Sequence, residues 1–95
     1  MPQVAVPPRY DKETGMPEVF RAEGFVFFFY ANEGQEPVHV HVRHAGGYAK
    51  FWVDPVVLEM SENMKVQELT RAEALIQERL TEIRRKWNEV FGNRG

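Results

Sequence analysis

The segment His39-Val40-His41 is where this sequence has the residues for chemistry. From Val38 to His44 the residue types alternate: Val38, Val40 and Val42 on one side, His39, His41 and Arg43 on the other. That alternation reads as a strand. Two histidines at i and i+2 then project from one face, with α-carbons roughly 7 Å apart. Neutral imidazole is a common metal ligand, so the pair could chelate one divalent cation if a third ligand joined it. Glu33, Glu36 and Asp54 are the third-ligand candidates by sequence proximity. Two imidazoles without an identified third ligand do not make a metal the expected occupant, so the cofactor is left open. A second chemistry is metal-free acid–base catalysis, one imidazole as neutral base and the other as protonated acid. Arg43 or Lys50 would then stabilise a developing phosphorane, and Tyr30, Tyr48 and Trp52 would stack bases, as a small ribonuclease requires. In that reading His39, His41 and Arg43 are catalytic, while Tyr30, Tyr48, Lys50 and Trp52 form the binding surface. The plainest alternative is a half-buried strand showing its polar side chains to solvent. His44 is out of phase and is expected on the other side unless a bulge intervenes.

The neighbouring segments must position these residues. Val19 to Ala22 reads as a short strand and Glu23-Gly24 as a tight turn. Phe25 to Tyr30 is six aromatic or β-branched residues in a row, apolar on both faces, so it reads as a central strand covered on both sides. Ala31 to Pro37 is a loop, and Ala45-Gly46-Gly47 a tight connection. Tyr48 to Asp54 alternates again, Pro55 blocks continuation, and Val56 to Met60 is a candidate edge strand. Ser61 to Lys65 is a turn in which Asn63 suits a left-handed conformation or a helix cap. Leu69, Ala72, Ile76, Leu80, Ile83, Trp87 and Val90 recur at steps of three and four, the stripe of one long amphipathic helix over about 66–91, closed by Gly92. The fold expected is α+β: a small antiparallel sheet of three to five strands packed against one long C-terminal helix. The helix stripe should cover the valine face, leaving His39, His41, Arg43, Tyr48, Lys50 and Trp52 on the opposite face, as a binding surface or half of a dimer interface.

Composition narrows the classes. At 95 residues the chain is one domain, and residues 1–15, with Pro2, Pro7, Pro8 and Gly15, read as a flexible extension to a domain over 16–92. With no cysteine, disulfides, thiolate metal sites and a thiol nucleophile are excluded. No apolar run approaches the roughly 18–20 residues of a membrane span, and Met1 to Tyr10 lacks a signal-peptide pattern, so a cytoplasmic protein is expected. Residues 1–64 carry five basic and nine acidic side chains, residues 65–95 seven and five. The overall pI near 5.9 argues against a dedicated nucleic-acid binder. Arg79, Arg84, Arg85, Lys86 and Arg94 make a local basic cluster, better read as a solvated helix face than as a phosphate site. There is no glycine-rich phosphate loop, and Ser61, the one serine, has no nucleophile-elbow spacing.

The run from Gly24 to Tyr30, then Asn32-Glu33-Gly34, then Glu36-Pro37-Val38-His39-Val40-His41-Val42 and Ala49-Lys50-Phe51-Trp52, resembles the bacterial family known as domain of unknown function 4160. Glu68-Leu69 and Trp87-Asn88-Glu89 in the closing helix extend the likeness to about 16–92. The hallmark is a loop ending in proline followed by His-x-His-Val, here Pro37, His39, Val40, His41 and Val42. Met16-Pro17-Glu18-Val19 resembles the start of family members. Where members often carry an acidic or histidine residue before a proline pair, this chain has Gln35-Glu36 and a single proline.

The resemblance implies a small protein encoded beside another small protein, in pairs suggested to be toxin–antitoxin modules. It carries no established reaction. The expectation is therefore a component of a toxin–antitoxin-like two-gene module acting through the His39/His41 face, with RNA-directed activity as one form of it. A neighbouring-gene protein is the expected partner, with a homodimer and nucleic acid as further candidates. The alternatives are a non-enzymatic binding or dimerisation module and a small metal-binding protein.

Overall fold

The computed structural model describes residues 16–31 and 33–92. The extension expected over 1–15 lies outside the described residues, as does Arg94. Five strands, β1 (Glu18–Ala22), β2 (Phe25–Phe28), β3 (His39–His44), β4 (Gly47–Val53) and β5 (Val56–Glu62), pair antiparallel in chain order as one meander. Tight turns explain the order. Glu23 and Gly24 (φ 54° and 84°) join β1 to β2, and Ala45 and Gly46 (φ 47° and 82°) join β3 to β4. Two left-handed residues in succession match the twist of a two-residue hairpin. Gly47 must also be glycine: a Cβ there would lie 2.4 Å from the Asn63 carbonyl oxygen. Asn63 itself is left-handed (φ 56°), as its place in the turn after β5 suggests.

The aromatic strand is second in the sheet and buried on both faces, as its composition predicts. It is shorter than the apolar run, however, and Phe29 and Tyr30 leave the sheet. The Phe29 amide donates to the Pro17 carbonyl at 2.9 Å, and the chain then turns back over the sheet. β5 runs to Glu62, two residues beyond the expected strand end at Met60.

The single long helix is corrected to two: α1 (Val66–Glu78) and α2 (Leu80–Phe91). The hinge is Arg79 (φ −128°, ψ 27°), whose amide bonds Ile76 instead of the fourth residue back. The apolar period passes through this break unchanged, which is why the sequence reads as one stripe. The redirection has a packing reason: α1 lies against β4 and β5, whereas α2 crosses toward β1. A straight helix would cover one end of a five-strand sheet and leave the other bare. Ala72, Leu75 and Ile76 of α1 and Ile83 and Trp87 of α2 thus meet Phe27, Val40, Val42, Ala49, Phe51 and Val53 in one core. The valine side of β3 faces the helices, as expected. His44 shares that side: its ring stacks on Phe25 at 4.1 Å and its Nε2 lies 3.2 Å from Glu68 of α1.

The described members of the basic cluster are paired within the molecule. Arg84 bonds Asp54, Arg85 bonds Glu89, and Arg79 and Lys86 both lie beside Glu82. These cations belong to a solvated, ion-paired helix face. No helix of the described residues is long and apolar enough to cross a membrane.

Candidate metal centre

On the other side of β3, His39 pairs with Trp52 and His41 with Lys50 in the β4 register, so the imidazoles share the face of the Trp52 indole. They do not lie open to solvent. His39 is 0% exposed and His41 1%. The cover is the loop from Phe29 to Val38. Tyr30 closes edge-on over His41 at 4.3 Å, and a turn secured by the Glu36 amide on the Glu33 carbonyl (3.1 Å) brings the Glu33 side chain down onto both rings. The loop rests on α2 where Gly34 meets Phe91. A Cβ at Gly34 would stand 2.7 Å from Phe91 Cδ1. Replacing Gly34 with alanine should therefore lift the loop and destabilise the fold by about 1–3 kcal/mol, the usual overpacking cost, measurable by urea unfolding.

One oxygen of Glu33 receives both histidines. Oε1 lies 2.8 Å from His39 Nε2 and 2.6 Å from His41 Nε2. The three atoms fall within 4.8 Å of one another. Each ring is held from behind. His39 Nδ1–H donates to the Pro37 carbonyl at 2.8 Å, and His41 Nδ1 bonds the Tyr48 hydroxyl at 2.7 Å. A carbonyl only accepts, so the His39 proton sits on Nδ1. A neutral His39 therefore points its Nε2 lone pair straight at a carboxylate oxygen. That contact is repulsive unless a second proton or another cation lies between them. His41 has more freedom, since a phenol both donates and accepts.

The electrostatics follow from burial and from these bonds. Burial would raise the Glu33 carboxyl, but hydrogen bonds from His39 and His41 and their positive character outweigh it and hold Glu33 below its ordinary range. Burial also pushes His41 below the usual histidine value of 6.5, with Glu33 opposing. Tyr48 is driven upward, by burial first and then by Tyr30, and remains a neutral phenol. A histidine depressed in the folded state binds its proton less well than in the unfolded chain. Stability therefore falls as the pH drops below 6.5, and Glu33 adds to the loss as the pH drops below its ordinary 4.5. An NMR titration of metal-free protein should give a His41 midpoint below 6.5; a midpoint at or above it contradicts this account.

Of the three acids nearest in sequence, Glu33 alone joins the cluster. Glu36 bonds Lys50 at 3.2 Å and Asp54 bonds Arg84 at 2.5 Å. Lys50 also lies 4.5 Å over the Trp52 ring. Tyr30 and Tyr48 stand around His41, and Trp52 stands edge-on to His39 at 5.5 Å. Arg43 lies two residues beyond His41, opposite Val26 and Tyr48 in register. Two participants escaped sequence reasoning. The Pro37 carbonyl is backbone and leaves no residue-type signal. Trp87 has the phase of a core residue and is one, yet its ring also stands 5.2 Å from His39, because α2 overhangs the end of the sheet where β3 begins.

The Glu-Gly turn, the proline and the His-x-His strand are thus one structural unit, and residues 24–88, which contain it, match the family model described as Domain of unknown function (DUF4160). The chain belongs to this family. No curated protein and no solved structure matches it significantly. In this DUF4160 chain the matched region takes in every residue of the Glu33/His39/His41 cluster and its Pro37 and Tyr48 supports.

Proposed function

We propose that this DUF4160 protein binds one divalent transition-metal ion through Glu33, His39 and His41. The observation that carries the reading is the convergence of both Nε2 atoms on a single carboxylate oxygen, with His39 Nδ1–H committed to the Pro37 carbonyl. Metal-ligating histidines are held this way, the far ring nitrogen donating to a carbonyl or another acceptor and so leaving the near nitrogen's lone pair for the ion. A cation there takes the place of the second proton that His39 must otherwise carry to face Glu33 Oε1. Two imidazoles and a carboxylate suit zinc, iron, nickel or manganese, with an open coordination position left over. When bound, such an ion supplies a Lewis acid and a more acidic bound water. Glu33 is the ligand on the loop, and its side chain is 19% exposed, so ions enter past it.

The ribonuclease reading needs a phosphate to touch both imidazoles. With the rings beneath the 29–38 loop, ion binding has the stronger geometric support. The two-gene toxin–antitoxin-like role and the small protein partner stand as further proposals, which the buried cluster does not itself support.

The test is calorimetric titration of untagged, chelator-stripped protein with zinc, iron(II), nickel and manganese, with elemental analysis of protein purified without added metal. One ion per chain is expected. Glu33→Gln should abolish tight binding, and Tyr48→Phe should weaken it by about 10–100-fold, as loss of an outer support does. Absence of stoichiometric binding for all four ions would sink the proposal.

A further inference from the structure

The sheet has a second feature that the candidate metal centre does not use. Among the described residues β5 is the last strand of the sheet, and residues 57–62 are all exposed. Of the four exposed large apolar side chains among the described residues, Val57, Leu58 and Met60 are on this strand and Val66 follows just after it. Natural sheets normally blunt such an edge with charge, proline, a bulge or a covering element, because its open backbone groups recruit another chain. β5 has an irregularity at Glu59, opposite Lys50 and Phe51, and two glutamates, but no lysine, and its apolar side chains stay uncovered. At the turn end, Val57 joins Pro37, Val38, Trp52, Asp54 and Pro55 around a cleft of about 310 Å³, apolar apart from Asp54, which is held by Arg84.

Charge decides what fits. Glu59 and Glu62 are the charged residues of β5, and no lysine or arginine among the described residues forms an ion pair with either. Glu59 accepts from Trp52 Nε1 at 2.6 Å, which places its carboxylate on the Trp52 face beside the cleft. A second copy laid antiparallel on β5 would put four carboxylates in one strip with no cation on either edge strand, an arrangement that opposes pairing. A basic strand meets the opposite situation. We infer that β5 is a docking edge for an extended segment of another protein, added as a sixth strand, with lysine or arginine against Glu59 and Glu62 and an apolar side chain in the cleft beside Trp52. Main-chain bonds supply affinity in such strand addition, and side-chain pockets supply selectivity.

The probe is a capped seven-residue peptide alternating lysine with valine and leucine, titrated into the ¹⁵N-labelled full chain at low salt; its glutamate counterpart is the control. Shifts and slowed amide exchange should concentrate on residues 56–62. The glutamate peptide, the Glu62→Lys variant and added salt should each weaken binding by about tenfold or less per charge pair. Val57→Lys, at a position already 48% exposed, should remove cleft contacts while leaving the rest of the spectrum unchanged. Equal binding of both peptides, shifts confined to other elements, or a β5-mediated dimer in sedimentation that the basic peptide cannot dissociate would overturn the inference.

Discussion

Replacing His39 with alanine should lower zinc affinity by more than about 100-fold, since loss of an outer support alone costs 10–100-fold and His39 is a proposed ligand itself. The same change removes one of the two bonds that hold Glu33 over the sheet. His41 Nε2 keeps its contact with Glu33 Oε1, so the loop loses part of its anchor and not all of it. Calorimetric titration of the variant beside the unaltered protein measures the affinity loss, and thermal unfolding with and without zinc measures the coupling. The unaltered chain should gain stability as zinc rises above its dissociation constant, by the logarithmic law for a ligand bound only to the folded state. The variant should gain nothing in the same range. Equal zinc stabilisation of both proteins would show that the ion sits elsewhere.

Trp87→Ala should be the most destabilising single change, by about 3–5 kcal/mol, as for other large aromatic deletions from a core. The indole is 7% exposed and meets Phe29 at 5.2 Å, Phe91 at 4.3 Å and His39 at 5.2 Å. It is the side chain that joins α2, the start of the covering loop and the first imidazole. For a domain whose total stability is on the order of 5–10 kcal/mol, such a loss leaves little margin at 37 °C. Urea unfolding should show a lower midpoint. Zinc, where the variant remains folded, should bind more weakly because the His39 ring has lost a wall. Trp87→Phe keeps an aromatic ring in place and should recover most of both losses. A Trp87→Ala cost below about 1 kcal/mol would show that this indole does not hold α2, the covering loop and His39 together.

Much of the fold is legible without coordinates, for local reasons. The valine–histidine alternation, the left-handed turn residues and the three-and-four apolar steps each report a preference expressed within a few residues. Strand positions apart from the far ends of β2 and β5, tight turns and the helical stripe therefore come out correctly. The break at Arg79 does not, because the apolar phase crosses it intact and only the breadth of the sheet requires a change of direction. The end of β2 is hidden for a similar reason: Phe29 and Tyr30 are as strand-like as the residues before them, and what turns them aside is a bond to Pro17 and a place against α2 and His41.

The candidate site divides along the same line. By itself the amino-acid order determined that two imidazoles project from one side of a strand, away from the valines that meet the helices, since side-chain alternation is a property of any extended chain. Tertiary structure alone decided that Glu33, and not Glu36 or Asp54, joins them, and that both imidazoles lie under cover. Which acid arrives depends on how a loop of non-repeating backbone closes, and that closure is set by Gly34 against Phe91 and Tyr30 over His41, contacts between residues brought together only by folding.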